Sequence, residues 1–167
     1  PKLGAVVYED PWLAGGHNGL SNSEDPEKPE KPYERVSLLR KFMISVGLGD
    51  VPIVMAGGVW HLEDWEDWID NPELGPIAFQ FGTRPLLTKE SPIPKAWKEK
   101  LMELKKGDIK LHKFSPTGFY SSAVKNNFIK ELTDRSLRQI KLFTKSDEAT
   151  SMDISEYPLG KAKRPFV

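Results

Sequence analysis

The chain has 167 residues, 38% hydrophobic and 29% charged, so it is long enough to bury a core and has a globular composition. Lys plus Arg equals Asp plus Glu at 24 each, so no positive surplus indicates a nucleic-acid partner. The lack of cysteine excludes disulfides and thiolate chemistry, and no apolar run approaches the roughly 20 residues of a membrane span. We expect a cytoplasmic protein that binds neither nucleic acid nor membrane.

Short apolar runs predict three buried strands. These runs are LGAVVY at 3–8, VPIVM at 51–55 and PIAFQF at 76–81. Between and after them, apolar residues recur at helical spacing over 33–46, 61–69 and 94–106. Strands that alternate with helices imply parallel pairing with right-handed crossovers. The sequence therefore predicts an α/β fold.

Helix faces in this pattern are expected to pack against the sheet. The residues assigned to these faces are Val36, Leu39, Met43, Val46, Leu62, Trp65, Trp68, Ile69, Trp97, Leu101 and Leu104. The tryptophans are interpreted as core residues rather than a stacking platform for a sugar or base. The carboxylates at 63–70 and the lysines at 105–113 are interpreted as solvated surfaces.

The pattern changes after residue 107. Residues 111–120 are turn-rich, residues 121–140 indicate one more helix, and residues 144–167 indicate a loosely packed tail. The predicted organisation is therefore a first unit over 1–107 and an extension over 108–167. Because the chain begins at Pro1 and leads at once into an apolar run, we expect it to be cut from a longer protein.

Glycine turns follow the second and third predicted strands. The first is Ala56-Gly57-Gly58, and the second is Gln80-Phe81-Gly82-Thr83. Ligands of βα units gather beyond the carboxyl ends of the strands, and glycine-rich turns there present backbone N–H groups to anions. Two such turns on successive strands favour a phosphate site. The alternative is that the glycines only make tight turns.

A histidine follows a glycine pair after the first strand. The segment is Ala14-Gly15-Gly16-His17, on backbone that a flat ligand can approach closely. An imidazole titrates near neutral pH and can act as a base or a donor, so His17 is the catalytic candidate. His61 is expected to pack against or cap its helix, and His112 has no motif around it. The scattered histidines match no metal signature.

As a set, these motifs resemble the nitronate monooxygenase (2-nitropropane dioxygenase-like) family. The matching segments are AGGHNG at 14–19, VPIVMAGGV at 51–59, AFQFGTR at 78–84 and SPTGFYSSAVKNNFIKEL at 115–132. The resemblance implies a partial (β/α)8 TIM barrel, about its last three βα units, with a helical C-terminal extension. It also implies FMN, a small-molecule nitronate substrate and molecular oxygen.

By the same resemblance, His17 is the active-site histidine beside the flavin. The residues expected to hold the cofactor are Gly15, Gly16, Ala56, Gly57, Gly58, Gln80, Phe81, Gly82 and Thr83. The barrel's other strands are absent, so we expect the missing half or a second copy to complete it.

Two departures from the family pattern leave the substrate open. Residues 9–13 (EDPWL) replace the usual short lead into the glycine pair, and an acidic, proline-rich loop follows at 21–32. The alternatives are a flavin-type enoyl-acyl-carrier-protein reductase, a non-flavin βα-barrel enzyme of a phosphorylated metabolite, and a non-enzymatic βα domain.

Overall fold

The fold is described from a computed structural model that covers residues 2–21, 23–105, 107–113 and 119–143, with side chains through residue 135. Over these ranges the strands are β1 (Val6–Glu9), β2 (Gly16–His17), β3 (Ile53–Ala56), β4 (Ile77–Gln80), β5 (Ile109–His112) and β6 (Ser121–Val124). The α-helices are α1 (Pro32–Ser45), α2 (Lys95–Glu103) and α3 (Asn127–Phe143), and short 3-10 helices span Leu62–Trp68 and Arg84–Leu87.

The first sheet is parallel, in the order β1-β3-β4. Val6 lies opposite Ile53, which lies opposite Ile77, and the register continues to Glu9, Ala56 and Gln80. The predicted parallel α/β arrangement is confirmed, with strand limits a few residues from those expected.

The two faces of this sheet differ in burial. On one face, Ile53 and Met55 are fully buried and pack in a core cluster with residues of α1 and of the 3-10 helix at Leu62–Trp68. The other face carries the row Val7, Val54 and Ala78, and Val7 is 58% exposed. Helices thus cover one face of the sheet, as expected.

The amino ends of β3 and β4 are joined by a buried arginine. Arg40 of α1 is only 1% exposed. Its guanidinium donates to the carbonyl oxygens of Leu74 (2.6 Å), Gly49 (2.7 Å), Val51 (2.8 Å) and Pro76 (2.8 Å). Because these carbonyls precede two different strands, one side chain fixes both strands against α1.

The second sheet corrects the predictions for the extension. Ser121–Val124 is a strand, not the start of a helix, and Ile109–His112 is a strand where turns were expected at 111–112. The sheet is antiparallel in the order β2-β6-β5, and its β2–β6 pairing joins residues about 100 positions apart, which local pattern does not reveal. The helix begins only at Asn127, where the Asn126 side chain accepts the N–H of Ile129 at 2.9 Å.

Four residues predicted to pack against the sheet are exposed instead, among them Leu62 (44% exposed) and Ile69 (46%). Trp97 is 60% exposed on α2 rather than in the core, and Val46 lies exposed beyond the end of α1. Trp65 and Trp68 are buried as expected, their rings edge to face at 4.8 Å, although their helix is 3-10 rather than α. The predicted tail at 144–167 lies outside the described residues.

Candidate active site at the carboxyl edge

The carboxyl ends of the three parallel strands meet at one edge. Glu9, Ala56 and Gln80 are directly opposite one another, and a turn follows each of them. Ala56 is buried, whereas Glu9 and Gln80 are exposed. The geometry therefore brings the three sequence-predicted turns to the same side of the sheet.

Asp10 holds the turn after β1. Its Oδ1 accepts hydrogen bonds from the backbone N–H groups of Trp12 (3.0 Å) and Leu13 (2.9 Å). Its backbone carbonyl accepts a hydrogen bond from the N–H of Ala14 (3.0 Å). Its own N–H donates to the carbonyl of Ala56 at 2.8 Å, which ties the turn to β3. Asp10 is 1% exposed, and burial raises the pKa of its carboxyl despite the two amide contacts. Sequence reasoning missed this residue, although an aspartate before proline at a strand end is a turn signal.

Gly57 and Gly58 pack against that turn. Both have positive φ angles, 89° and 74°. A Cβ on Gly57 would lie 2.9 Å from the Ala14 nitrogen, and one on Gly58 would lie 2.7 Å from Leu13 Cδ1. These glycines are therefore required by chain packing, whatever else they bind.

The turn after β4 is open by contrast. A Cβ on Gly82 would meet nothing within 4 Å, and Gly82 and Thr83 are exposed. Arg84 braces this turn: its guanidinium donates to the carbonyl of Trp60 at 2.6 Å and lies 5.7 Å from the ring of Phe81. The space that a ligand group can enter thus lies at Gly82 rather than at Gly57 and Gly58.

His17 lies three residues beyond the turn that Asp10 holds. It is exposed, on β2, and its backbone pairs with Ser121 of β6. A Cβ on Gly15 or Gly16 would meet nothing within 4 Å, so the approach to His17 is open on this backbone. His61 is also exposed and lies edge to face with Trp60, with ring centroids 6.4 Å apart.

The acidic loop at 21–32 is anchored beside this edge. Arg35 of α1 donates to Glu24 at 2.6 Å and to Glu30 at 3.0 Å, and it lies 5.3 Å over the ring of Trp12. The nearby Tyr8 hydroxyl is buried, and burial raises its pKa to about 12. One arginine therefore fixes the unusual loop against the turn after β1.

Another groove lies at the opposite edge of the sheet. It has a volume of about 570 Å³ and is lined by residues around the amino ends of β3 and β4, including Pro52, Asn71 and Ile77. It borders β4, an outer strand of the sheet over the described residues, and contains none of the sequence-predicted site residues. We therefore place the candidate site at the carboxyl edge, where the three turns lie.

Neither a metal site nor a membrane span is found in the described parts of the chain. No group of three or more His, Cys, Asp or Glu residues there is placed to hold a metal ion. No helix in the same ranges is long and apolar enough to cross a membrane.

Comparison with known proteins identifies the fold and the family. A mutant of FabK from Thermotoga maritima matches with a TM-score of 0.57 and 20% identity over 78% of this chain. The match covers 36% of that protein, so the chain has the fold of part of a TIM barrel and spans about a third of its relative's length. No curated protein matches significantly. A sequence profile of nitronate monooxygenases matches residues 5–156. The chain therefore belongs to the nitronate monooxygenase family.

Proposed function

We propose that this chain forms the C-terminal βα units of an FMN-dependent oxidoreductase that oxidises alkyl nitronates and nitroalkanes with molecular oxygen. The observation that carries the proposal is the carboxyl edge: three strand ends in register, an open glycine turn at Gly82, and His17 three residues beyond the turn that follows β1. Family membership over residues 5–156 supports the same chemistry. When bound, the flavin supplies the redox step.

The residues of the edge fit a phosphate-bearing cofactor. Gly82 and Thr83 offer backbone N–H groups, a hydroxyl and empty space, which is what a phosphate requires. Gly57 and Gly58 shape the neighbouring turn, but their space is already taken by Leu13 and Ala14. We therefore place the phosphate nearer Gln80–Thr83 and give Ala56–Gly58 the role of supporting it.

His17 is proposed as the group that takes a proton from a neutral nitroalkane. It is exposed, and the glycines before it leave room for a flat ring and a substrate. A preformed nitronate has already lost that proton, so it needs His17 only for orientation. Positioned general-base catalysis is typically worth about 10²–10⁴-fold.

The site also needs surfaces that these residues do not provide. In the part of the chain that the structure describes, β1 and β4 are the outer strands of the sheet, and Val7 and Ala78 are exposed on the face opposite the core. On α1, Leu38 and Phe42 are exposed one turn apart, as on a helix that packs beside another. We propose that the remaining barrel strands cover these surfaces, from the same chain or from a second copy, and complete the flavin site. The division into a barrel unit at 1–107 and an extension at 108–167 belongs to the same proposal.

The substitution His17→Asn in the flavin-loaded protein tests this function. The variant should keep its flavin and lose about 10²–10⁴-fold in turnover of a neutral nitroalkane, with a smaller loss on the preformed nitronate. His61→Asn is the matched control, because His61 is exposed but lies against Trp60, and it should leave both rates unchanged. Equal small effects of His17→Asn on both substrates would overturn its proposed role.

A flavin-type enoyl-acyl-carrier-protein reductase is the alternative function. This alternative is supported by the fold that the chain shares with FabK. The two functions differ in their co-substrates, so oxygen consumption with a nitronate supports the first. Reduction of an enoyl thioester with a reduced nicotinamide cofactor and no activity on nitronates would favour the second.

A further inference from the structure

His17 lies on a loop whose two ends contact each other. Trp12 precedes the glycine pair before His17, and Asp25 follows the histidine in the acidic loop. The indole Nε1 of Trp12 donates to the backbone carbonyl of Asp25 at 3.3 Å, although the two residues are 13 positions apart. We call residues 12–21 and 23–25 the His17 loop. Loops with joined ends are compact surface units that often carry functional residues.

Arg35 of α1 contacts both ends of the His17 loop. Its guanidinium lies over the face of the Trp12 ring, 5.3 Å from the centroid. Its Nη1 donates to Oε1 of Glu24 at 2.6 Å. One planar guanidinium therefore holds the loop both where it leaves the turn after β1 and where it joins the acidic loop.

Glu24 passes this restraint on to the backbone of the loop. While its Oε1 accepts from Arg35, its Oε2 accepts the backbone N–H of Ser21 at 2.6 Å. The N–H of Ser21 and the guanidinium of Arg35 hold the pKa of Glu24 below its ordinary value, so the carboxylate stays charged. The side chains of Arg35 and Glu24 are 26% and 24% exposed, so solvent screens this pair less than a pair on the open surface. The connection from α1 therefore ends on the backbone that follows His17.

Glycines lie on both sides of His17 within the loop. Gly15 and Gly16 precede it, Gly19 follows it, and a Cβ on any of the three would meet nothing within 4 Å. Such backbone can adopt many conformations, which leaves space for a ligand but does not itself fix a side chain. β2 pairs with β6 over Gly16 and His17, a ladder of two residues. The position of His17 therefore depends on how the ends of the loop are held.

We propose that Arg35 and Glu24 are positioning residues for His17. By joining Trp12 to Glu24 across the base of the His17 loop, they hold the backbone of His17 in one position relative to the turn after β1. The proton transfer assigned to His17 rests on the proposed function, whereas the restraint on the loop does not.

The first test measures the loop without using the reaction. In the complete protein with FMN added, Arg35→Met should speed backbone hydrogen exchange across residues 14–20 by about tenfold or more, because local opening becomes easier. Exchange in β3 should keep its wild-type rate. Glu24→Ala removes the same connection from the loop side and should have the same effect.

Glu34→Gln is the matched control for this test. Glu34 lies on the same helix as Arg35 and pairs with Lys31 at the exposed surface, so its variant should exchange like the wild type. Wild-type exchange across residues 14–20 in both Arg35→Met and Glu24→Ala would overturn the proposal.

The second test asks whether the restraint acts through His17. In the flavin-loaded protein, Arg35→Met should lower kcat on a neutral nitroalkane roughly tenfold, with a smaller loss on the preformed nitronate, because a displaced base transfers the proton less well. Arg35→Lys keeps the charge without the planar fork and should restore part of the rate.

Combining Arg35→Met with His17→Asn separates this proposal from the proposed function. The double variant should turn over no more slowly than His17→Asn alone, because both changes remove the same contribution. An additive loss would show that Arg35 acts elsewhere and would overturn its role in positioning His17. Faster exchange across residues 14–20 together with no effect of His17→Asn on turnover would leave the restraint in place and remove the proposed base.

Discussion

The amino and carboxyl edges of the parallel sheet are held together in opposite ways. At the amino edge, one buried cation fills the space between two strands and donates to four carbonyl oxygens. At the carboxyl edge, the Asp10 carboxylate and two glycines fix the first two turns, and the turn at Gly82 stays open. The contrast supports our proposal that the carboxyl edge binds the ligand, whereas the amino edge serves stability, the division of roles found in βα barrels.

The largest expected effect breaks the amino edge. Arg40→Met should lower the free energy of unfolding by about 3 kcal/mol or more, because buried carbonyl groups lose charged donors. Urea unfolding followed by far-ultraviolet circular dichroism measures this change. Lys41→Met is the control, since the neighbouring Lys41 is exposed and makes only a surface contact with Glu73, so its variant should unfold like the wild type. Similar unfolding curves for the two variants would contradict the role given to Arg40.

A smaller effect separates the two glycine turns. Gly57→Ala should destabilise the fold by about 1–3 kcal/mol, because alanine is strained at a φ of 89° and its Cβ would meet the Ala14 backbone. Gly82→Ala should change stability by less than about 0.5 kcal/mol, because its surroundings are open. Thermal unfolding of both variants checks this order, and the reverse order would remove the distinction between a packed turn and an open one.

An effect of the same size as that of Gly57→Ala tests the turn that Asp10 holds. Asp10→Ala removes the acceptor of two backbone N–H groups and should cost about 1–3 kcal/mol, whereas Asp10→Asn keeps an acceptor and should cost less.

The pH dependence of the Asp10→Asn variant sharpens this test. Because the folded protein raises the pKa of Asp10 above its ordinary value of 3.8, the folded state binds the proton more tightly than the unfolded state. The contribution of Asp10 to stability is therefore present below pH 3.8 and is lost as the pH rises through the folded-state pKa. As the pH rises through the folded-state pKa of Asp10, the Asp10→Asn variant should therefore gain stability relative to the wild type. A gain on acidification instead would contradict the raised pKa.

The sequence was sufficient for features that depend on local pattern. Short apolar runs located β1, β3 and β4, and glycines located the turns that follow them. Arg40 was missed because a charged residue within an apolar helix stripe has no local partner to reveal its role; its four acceptors come from separate segments. The signal available in the sequence was the position of Arg40 itself, a charged residue at helical spacing between the buried Val36 and Met43.

Features that depend on long-range pairing were not predictable in the same way. Ser121–Val124 follows a helix-like pattern and becomes a strand only because Gly16–His17 and Ile109–His112 pair with it. Trp97 has helical spacing, but its helix leaves it exposed in the described structure.

The phosphate site at Gly82 is the central claim, and flavin titration tests it most directly. Gly58→Asp is a poor probe, because its Cβ would meet Leu13 at 2.7 Å and disturb packing as well as binding. Gly82→Asp adds a negative charge in open space instead. The complete protein should bind FMN at least about tenfold more tightly than riboflavin, a difference of about 1.4 kcal/mol that comes from the phosphate. Gly82→Asp should abolish that preference and leave thermal unfolding unchanged. Equal affinity of the wild type for FMN and riboflavin, or an undiminished preference in Gly82→Asp, would contradict the phosphate site.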